Sequence, residues 1–417
     1  MAAASTPVDT VGLAEIGRAT RRAGRRRQWK AFGLTLPLAA FLLVFFLLPI
    51  FGMLQLAVSN AELGEVMPDA AAALGAWDGD GLPDGETART VAADLRRAFE
   101  ARALGEVAAR LNNEVPGYRS MLMGTARKLP ETIEGDALAA LADIDPVWRE
   151  PSLWRLLKRT AAPYTDLYLL QALDLERGAG GDIRRRPAEQ AVYLDILWRT
   201  LEISLFVTLA CLVLAYPLAY KLASLKEKHA NLLMIFVLLP FWTSLLVRSA
   251  AWIVLLQREG PINDGLIWLG LIDTPLSMVF NRTGVLIAMT HVLLPFMVLP
   301  LYSVMKGISP TYLRAAVSLG CPPFKSYWKV YFPMTVPGVA AGGLLVFIIS
   351  MGYYITPALL GSPKEQMASY FVAFYTNETT NWGMAAALSA VLLVATMILY
   401  FVYNRLVGSA SAGARPR

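Results

Sequence analysis

The chain has 417 residues, of which 56% are hydrophobic and only 17% charged, so it is more apolar than an ordinary soluble domain. Its formal net charge is +6. The basic residues lie mostly in short segments at the ends of apolar runs, and this arrangement argues against the single basic patch of a nucleic-acid-binding protein. Two cysteines and two histidines are too few for a disulfide framework or a histidine-based metal centre. Composition therefore predicts a membrane protein with neither a nucleic-acid partner nor a metal.

Six apolar runs are each near or above the ~20 residues that cross a hydrocarbon core. The first follows six arginines and Lys30, and its length exceeds the roughly 7–15 residues of a cleavable signal peptide, so we predict an uncleaved anchor. The sequence thus predicts an all-α integral membrane protein with about six transmembrane helices. The runs are Phe32–Leu56, Ile196–Ala219, Leu232–Leu256, Gly284–Val304, Met334–Leu360 and Met384–Val402.

The short loops predict the orientation, because lysine and arginine are retained on the cytoplasmic side. With an even number of spans, four basic segments fall on one side: an N-terminal arm at 1–30, the turn with Lys221, Lys226 and Lys228, the loop from Lys306 to Lys329, and a tail at 407–417. We therefore expect both termini to be cytoplasmic.

A long insert at 60–190 separates the first two spans, and residues 60–193 hold 22 of the 32 acidic residues. Proline breakers and amphipathic stretches predict a small cap of short helices on the outer face. A mobile solvated loop is the alternative, because Asp78–Gly85 is rich in Gly and Asp. The expected apolar anchors are Trp77, Trp148, Trp154, Tyr164 and Tyr168.

The segment between the fourth and fifth spans predicts a short helix outside the membrane. Ser309 can cap it with Pro310 at its first position, and Gly320 can end it in a left-handed conformation before Pro322 and Pro323. Leu313, Ala316 and Val317 would share one side, and small Ala315 and Ala316 would permit close approach by another surface. Such a helix could be pushed by another protein.

This segment, Arg314-Ala-Ala-x-x-x-Gly320 with Pro333 downstream, resembles the Glu-Ala-Ala…Gly…Pro coupling-loop signature of permease subunits of binding-protein-dependent ABC importers. The stretches Leu238–Trp252, Gly260–Asn263 and Gly352–Gly361 look like the spermidine/putrescine-type branch. The resemblance covers roughly Tyr193–Leu406 and implies the type I ABC importer permease fold. In that fold this chain would have a first transmembrane helix at 31–59 and a permease core at 191–406.

The resemblance also implies how the chain is driven. In that family a cytoplasmic loop, here 307–332, seats in a groove on an ATPase dimer. Because Arg314 stands where the signature has Glu, we expect it to seek a carboxylate on the ATPase. The residues that match the coupling-loop signature of the family, or lie next to it, are Leu313, Arg314, Ala315, Ala316, Leu319, Gly320, Pro322 and Pro323.

The expected assembly is an importer in the bacterial inner membrane. Its other parts are a homologous permease subunit, the ATPase dimer and a periplasmic solute-binding protein, with membrane lipid around the spans. The sequence has no Gly-x-x-x-x-Gly-Lys-Ser/Thr phosphate loop, so ATP and Mg would bind the partner ATPase, and this chain would be neither an enzyme nor a cofactor carrier.

The candidate substrate pathway residues are Trp242, Arg248, Trp252, Tyr353 and Tyr354. Tyrosine rings could hold the ammonium groups of a polyamine, although that branch commonly has acidic residues where this chain has Tyr353 and Ala358. Arg248 could instead snorkel to the interface, and the two tryptophans could form an interfacial belt. We expect His291 to make a polar contact within the bundle and Glu202 to pair with Arg199.

Three other functions remain open. An ion-driven secondary transporter would show inverted repeats and intramembrane acids, and a membrane-embedded enzyme would show clustered His, Asp or Cys; neither pattern is evident. The third is a related ABC permease for amino-acid derivatives or opines.

Overall fold

The structure is a computed structural model that describes residues 33–178 and 181–412, with side chains to Arg405. The predicted arm at 1–30 lies outside the described residues, as do the last five residues of the predicted tail. The chain divides into two compact bodies, residues 1–55 and 56–417. Within the described residues the first consists of helix α1 as far as Gln55; α1 runs over Gly33–Leu56 and contains a π-helical turn at Leu43–Leu47.

The insert folds as a set of short helices. Proline stands at the first turn of two of them, where its missing N–H costs nothing. The helices are α2 Glu62–Val66, α3 Pro68–Ala76, α4 Gly85–Glu100, α5 Leu104–Glu114, α6 Tyr118–Lys128, α7 Ala137–Ile144, α8 Pro151–Ala161 and α9 Leu167–Ala172. A small antiparallel ribbon follows, β1 Leu175–Arg177 with β2 Ile183–Arg185, and Glu176 lies opposite Arg184.

The insert has its own hydrophobic core, built around Trp148 and Trp154. Both are fully buried, with ring centroids 5.3 Å apart. Their indole N–H groups donate to Thr125 Oγ1 at 3.0 Å and to the Trp148 carbonyl at 2.9 Å, so neither ring leaves a buried donor unsatisfied. Tyr168 is also buried, but Tyr164 is 69% exposed and is not an anchor.

Two buried polar residues fix the ends of the insert. Asn60 donates to the carbonyls of Thr160 and Ala162 at 2.8 and 2.9 Å and accepts from Arg110 Nε at 2.8 Å. Asp174, in the left-handed region at φ +56°, accepts from the N–H groups of Tyr193 and Leu194. It therefore caps the long helix that follows.

The membrane core contains four long helices and one broken pair. The long helices are α10 Tyr193–Ser224, α14 Arg282–Lys306, α16 Pro323–Met351 and α19 Trp382–Ala412. The broken pair runs from Glu227 to Trp268 and includes α11 Glu227–Leu238, α12 Leu245–Leu256 and α13 Pro261–Trp268. Short helices complete the core: α15 Thr311–Ser318, α17 Ile355–Leu360 and α18 Ala368–Asn377.

Helices α10, α14 and α16 pack together at the centre of this core. A stripe of buried residues at every fourth position of α10, from Ile203 through Cys211 to Ala219, faces inward. On α16, a Cβ at Gly338 would lie 3.0 Å from Val304, and one at Gly342 would lie 2.8 Å from Met297 Sδ. The two glycines therefore let α16 approach α14 closely.

The predicted all-α fold with about six spans is confirmed: five helices are long and apolar enough to cross a membrane, and the broken pair can form a sixth. The single helix predicted over Leu232–Leu256 is wrong, because the chain turns by 99° between Trp242 and Leu245. Pro240 lies in a 3₁₀ turn there and has no N–H to continue the helix. The fifth predicted span also ends early, at Met351, and Ile355–Leu360 forms a separate short helix.

Candidate functional site

The segment between α14 and α16 contains the predicted short helix, α15. It begins at Thr311, one residue after the proline that we expected to start it, and Ser309 Oγ accepts from the Thr311 N–H at 3.3 Å. At its end the Cys321 N–H donates to the Ala316 carbonyl at 3.1 Å, and the Gly320 N–H donates to the Val317 carbonyl at 2.9 Å. With Gly320 at φ +87°, this is a Schellman motif, which fixes where the helix stops.

The surface of this segment is unusually apolar. Leu319 is 88% exposed and Phe324 is 76% exposed, while Leu313 packs against the hydrophobic core of the bundle. Ala316 is half-buried and Val317 is exposed, so the predicted common face of Leu313, Ala316 and Val317 is divided. Singly exposed hydrophobic side chains are ordinary, but a cluster on one protruding segment indicates a contact surface.

The remaining coupling residues are solvent-facing. Arg314, Ala315, Pro322 and Pro323 are exposed. Arg314 makes no ion pair with the described part of the chain. Its guanidinium is therefore available to an acidic group from another molecule.

An aromatic cluster that the sequence analysis missed joins this segment to the spans. The Tyr220 ring, at the end of α10, meets Tyr327 and Tyr331 edge-on, with centroids 5.6 and 5.3 Å away. Tyr216 and Thr335 share a hydroxyl hydrogen bond of 3.0 Å. Tyr327–Tyr331 forms a π-helical turn, a feature that is frequent at functional sites. The i, i+4 spacing of Tyr216 with Tyr220 and of Tyr327 with Tyr331 was the available signal.

The break in the α11–α12 pair positions Arg248. Its guanidinium donates to the Pro240 carbonyl, to the Thr243 carbonyl at 2.8 Å and to Thr243 Oγ1 at 3.1 Å. All three acceptors lie at the break, where the Pro240 carbonyl also accepts from the Thr243 N–H and hydroxyl group. A guanidinium charge without partners is costly inside a membrane, but that of Arg248 donates hydrogen bonds to several acceptors at once.

Three of the predicted pathway residues lie near one another. Trp252 donates through Nε1 to His291 Nδ1 at 3.2 Å, which gives His291 the polar contact expected of it. Arg248 is close enough to His291 and Tyr353 to interact electrostatically with both. Helices α12 and α17 are joined beside them by Ser249 and Thr356, whose hydroxyl oxygens are 3.3 Å apart.

The other two predicted pathway residues are not joined to this cluster. Trp242 is 88% exposed and Tyr354 is 40% exposed, and within the described ranges neither side chain has a hydrogen bond. Such exposure fits an interfacial position for Trp242. Arg248, Trp252, His291 and Tyr353 together form the pathway cluster.

Glu202 lies in a charged triad and not beside Arg199. Arg282 donates to Glu202 at 2.9 Å and to Glu365 at 3.0 Å, while Arg199 donates to the Gln366 carbonyl at 3.2 Å. The predicted Glu202–Arg199 pair is therefore wrong. Sequence proximity suggested it, but Arg282, at the start of α14, is the residue that folding brings to Glu202.

Among the residues that the structure describes, no group of three or more His, Cys, Asp or Glu side chains is placed to hold a metal. Cys211 is buried and donates to the Thr290 carbonyl, while Cys321 is half-buried next to Gly320.

Residues 203–411 match the family described as "Binding-protein-dependent transport system inner membrane component". The chain is 36% identical over 214 residues to the spermidine/putrescine transport system permease protein PotB of Escherichia coli K12, covering 51% of this chain and 78% of that protein. It is 31% identical over 236 residues to the inner membrane ABC transporter permease protein YdcU of the same organism, covering 52% and 73%. A crystal structure of a bacterial alginate ABC transporter in complex with an alginate pentasaccharide-bound periplasmic protein has 16% identity and a TM-score of 0.43, covering 51% and 77%.

Members of this family are multi-pass, non-enzymatic components of ABC transporters in the inner membrane, and the ATPase is a separate partner. The predicted resemblance to ABC importer permeases is thereby confirmed. The chain belongs to the binding-protein-dependent transport system inner membrane component family.

Proposed function

We propose that this chain forms half of the translocation pathway for a small, polyamine-like solute, and that a separate ATPase dimer drives it through the coupling loop 307–332. The observation that carries the proposal is α15: a short helix with a fixed end that presents exposed apolar side chains between two spans. Force applied to such a rigid element reaches α14 and α16 directly.

The contacts of the coupling loop support this role. Leu319 and Phe324 would bury apolar surface in a groove on the ATPase, at ~25 cal/mol per Å² removed from water. Arg314 would pair there with a carboxylate. Tyr220 and Tyr327 then connect the loop to α10, so that movement of the loop tilts the central helices.

We place the loop and both termini in the cytoplasm. The ring contact between Tyr220 and Tyr327 supports this, because it puts the Lys221–Lys228 turn next to the loop that contains Lys325 and Lys329. Basic segments that share one end of the bundle accord with retention of lysine and arginine inside. The insert then lies outside, on the side where a solute-binding protein docks.

The complete transporter would contain a second, homologous permease subunit, two ATPase subunits that bind ATP and Mg, and a soluble binding protein. One six-span chain can line only part of a pathway, so a pseudo-symmetric pair is the simplest closed assembly. The insert would orient the binding protein or seal the outer gate. Deleting 69–185 should then lower uptake or binding-protein affinity, and a deletion that changes neither would remove this role.

The pathway cluster supports a solute that carries charge. PotB relatives are named for spermidine and putrescine transport, and the rings of Trp252 and Tyr353 can hold ammonium groups by cation–π contact, at about 0.5–2 kcal/mol each. Arg248, whose donors already engage Pro240 and Thr243, would then serve to hold the broken helix.

A carboxylate-bearing solute, such as an amino-acid derivative or opine, is the second candidate. The positive charge of Arg248 beside Trp252 and Tyr353 favours it. Replacing Arg248 with glutamine separates the two: uptake of a carboxylate solute should fall more than tenfold through loss of a charge-assisted contact, at about 1.5–3 kcal/mol. Polyamine uptake should fall by less.

Cysteine cross-linking tests the coupling role. In a Cys321→Ser background, Leu319→Cys should cross-link to the ATPase subunit, whereas Leu271→Cys, also well exposed but between α13 and α14, should not. A membrane-impermeant maleimide should label Leu271→Cys in intact spheroplasts, and Leu319→Cys only after the membrane is opened. The reverse labelling would contradict the proposal.

A further inference from the structure

Two cavities in the insert adjoin each other. The first has a volume of about 820 Å³ and the second about 490 Å³. Both fall within the roughly 300–1,000 Å³ of small-molecule sites, which fits a small molecule or a lipid better than a protein segment. The residues that line both are Glu114, Arg159, Leu167, Glu176 and Arg177.

The two cavities differ in chemical character. The first is lined largely by apolar and aromatic groups, among them Val58, Tyr164, Leu169 and Leu170. The second is rich in guanidinium groups, those of Arg155, Arg159, Arg177, Arg184 and Arg186. A ligand that fills both must therefore be an amphiphile.

Three of these five arginines are already neutralised by carboxylates. Hydrogen bonds from Arg177 lower the pKa of Asp166, so this carboxyl stays ionised at neutral pH and balances the guanidinium. The pairs are Arg159 with Glu114 at 2.5 Å, Arg177 with Asp166 at 2.5 Å, and Arg184 with Glu176 at 2.8 Å.

Arg155 and Arg186 are left with excess positive charge. Arg186 Nε is 3.9 Å from Glu176, which Arg184 already occupies, and this buried atom has no hydrogen-bond partner in the described chain, while Arg186 Nη2 donates to the neutral Gln190 Oε1 at 3.3 Å. Arg155 has only a 3.4 Å hydrogen bond to the Pro151 carbonyl. The excess is local, because residues 60–193 as a whole hold 22 acidic and 16 basic side chains. An unsatisfied buried charged donor favours binding of an anion.

The apolar cavity lies beside the ends of two candidate spans, which is the level at which a spanning helix would leave a bilayer. Val58 lies two residues after the end of α1 at Leu56, and Leu169 and Leu170 belong to α9, which packs on α19 next to Trp382. Lipid headgroups and the first acyl carbons occupy this level of a bilayer.

We propose that the insert binds an anionic phospholipid, with its phosphate against Arg155 and Arg186 and an acyl chain in the cavity beside Leu169 and Leu170. The assignment to the outer leaflet rests on the proposed orientation; the binding chemistry does not. Lipid bound there would hold the insert against the membrane next to α19.

Calorimetry on the purified full-length chain in detergent tests this proposal. The probes are dioctanoyl-phosphatidylglycerol below its micellar concentration, dioctanoyl-phosphatidylcholine and inorganic phosphate. The anionic lipid should bind at least tenfold more tightly than either other probe. Arg186→Gln should weaken its binding about tenfold or more.

Arg185→Gln is the matched control, because this exposed neighbour on β2 lines neither cavity and carries the same charge. It should change lipid affinity by less than about twofold. Ala162→Phe, which fills the apolar cavity, should weaken lipid binding without removing a charge. Thermal unfolding of each variant confirms that it is folded.

Equal losses in Arg185→Gln and Arg186→Gln, or no binding of the anionic lipid, would overturn the proposal. Phosphate that binds as tightly as the lipid would also overturn it, in favour of a free-anion site. Cross-linking of Leu319→Cys to the ATPase is independent of all three outcomes, so the lipid site and the coupling role can fail separately.

Discussion

Replacing Gly320 with valine should uncouple ATP hydrolysis from solute uptake. Gly320 has φ +87°, and nothing lies within 4 Å of where a Cβ would stand, so the substitution causes backbone strain without a clash. A side chain in the left-handed region costs about 1–2 kcal/mol, and β-branching makes the position worse. That cost shifts the balance between the capped and frayed ends of α15 by a factor of roughly 5–30.

The consequence for transport follows from the Schellman hydrogen bonds. If the hydrogen bond from the Cys321 N–H to the Ala316 carbonyl breaks, α15 no longer has a fixed end. Movement of the ATPase then bends the loop instead of tilting α14 and α16. The assay is the ratio of solute transported to ATP hydrolysed in proteoliposomes that contain the whole transporter. Valine should lower this ratio at least fivefold, with normal membrane insertion.

Gly320→Asn is the matched control, because asparagine tolerates the left-handed region better than other side chains. It should retain most of the coupling. Wild-type coupling in the valine variant, or equal loss in both variants, would refute the reasoning.

Three further predictions concern the insert and the broken helix. Asp174→Ala should lower stability by about 1–2 kcal/mol because the N–H of Tyr193 loses its cap, whereas Asp174→Asn should be milder; thermal unfolding measures both. Asp166→Asn should destabilise the chain at pH 7. Because Arg177 lowers the pKa of Asp166, the wild-type advantage should be fully present above the ordinary value of 3.8 and vanish as the pH falls below it, as melting curves would show. Arg248→Ala should lower uptake more than Arg248→Gln does, without preventing insertion, since it strips hydrogen bonds from the carbonyls at the break; uptake at the wild-type rate would contradict this role.

The lengths of the apolar runs predicted the spans well, because a helix that crosses lipid must hydrogen-bond its own backbone N–H and C=O groups along its whole length. It could not reveal the 99° turn after Trp242, since an apolar run looks the same whether it crosses the bilayer or bends within it. Pro240 was the local signal, but many spanning helices tolerate proline. In this chain α14 continues through Pro295 and Pro300.

Local rules predicted the end of α15 at Gly320, because a glycine followed by prolines fixes a helix stop without help from distant residues. Pairings between distant residues were beyond these rules. Glu202 meets Arg282 only after α10 and α14 pack together, and the Arg177–Asp166 pair depends on the β1–β2 ribbon. The arginine excess at Arg155 and Arg186 was hidden for the same reason, within an insert that is acidic overall.

Reconstitution tests the central claim most directly. Proteoliposomes are prepared with this chain and its permease partner, with and without the ATPase subunits, and loaded with ATP before radiolabelled spermidine or putrescine and the binding protein are added outside. Uptake should occur only when both ATP and the ATPase are present. Solute movement at the same rate by this chain alone, driven by an ion gradient, would contradict the account.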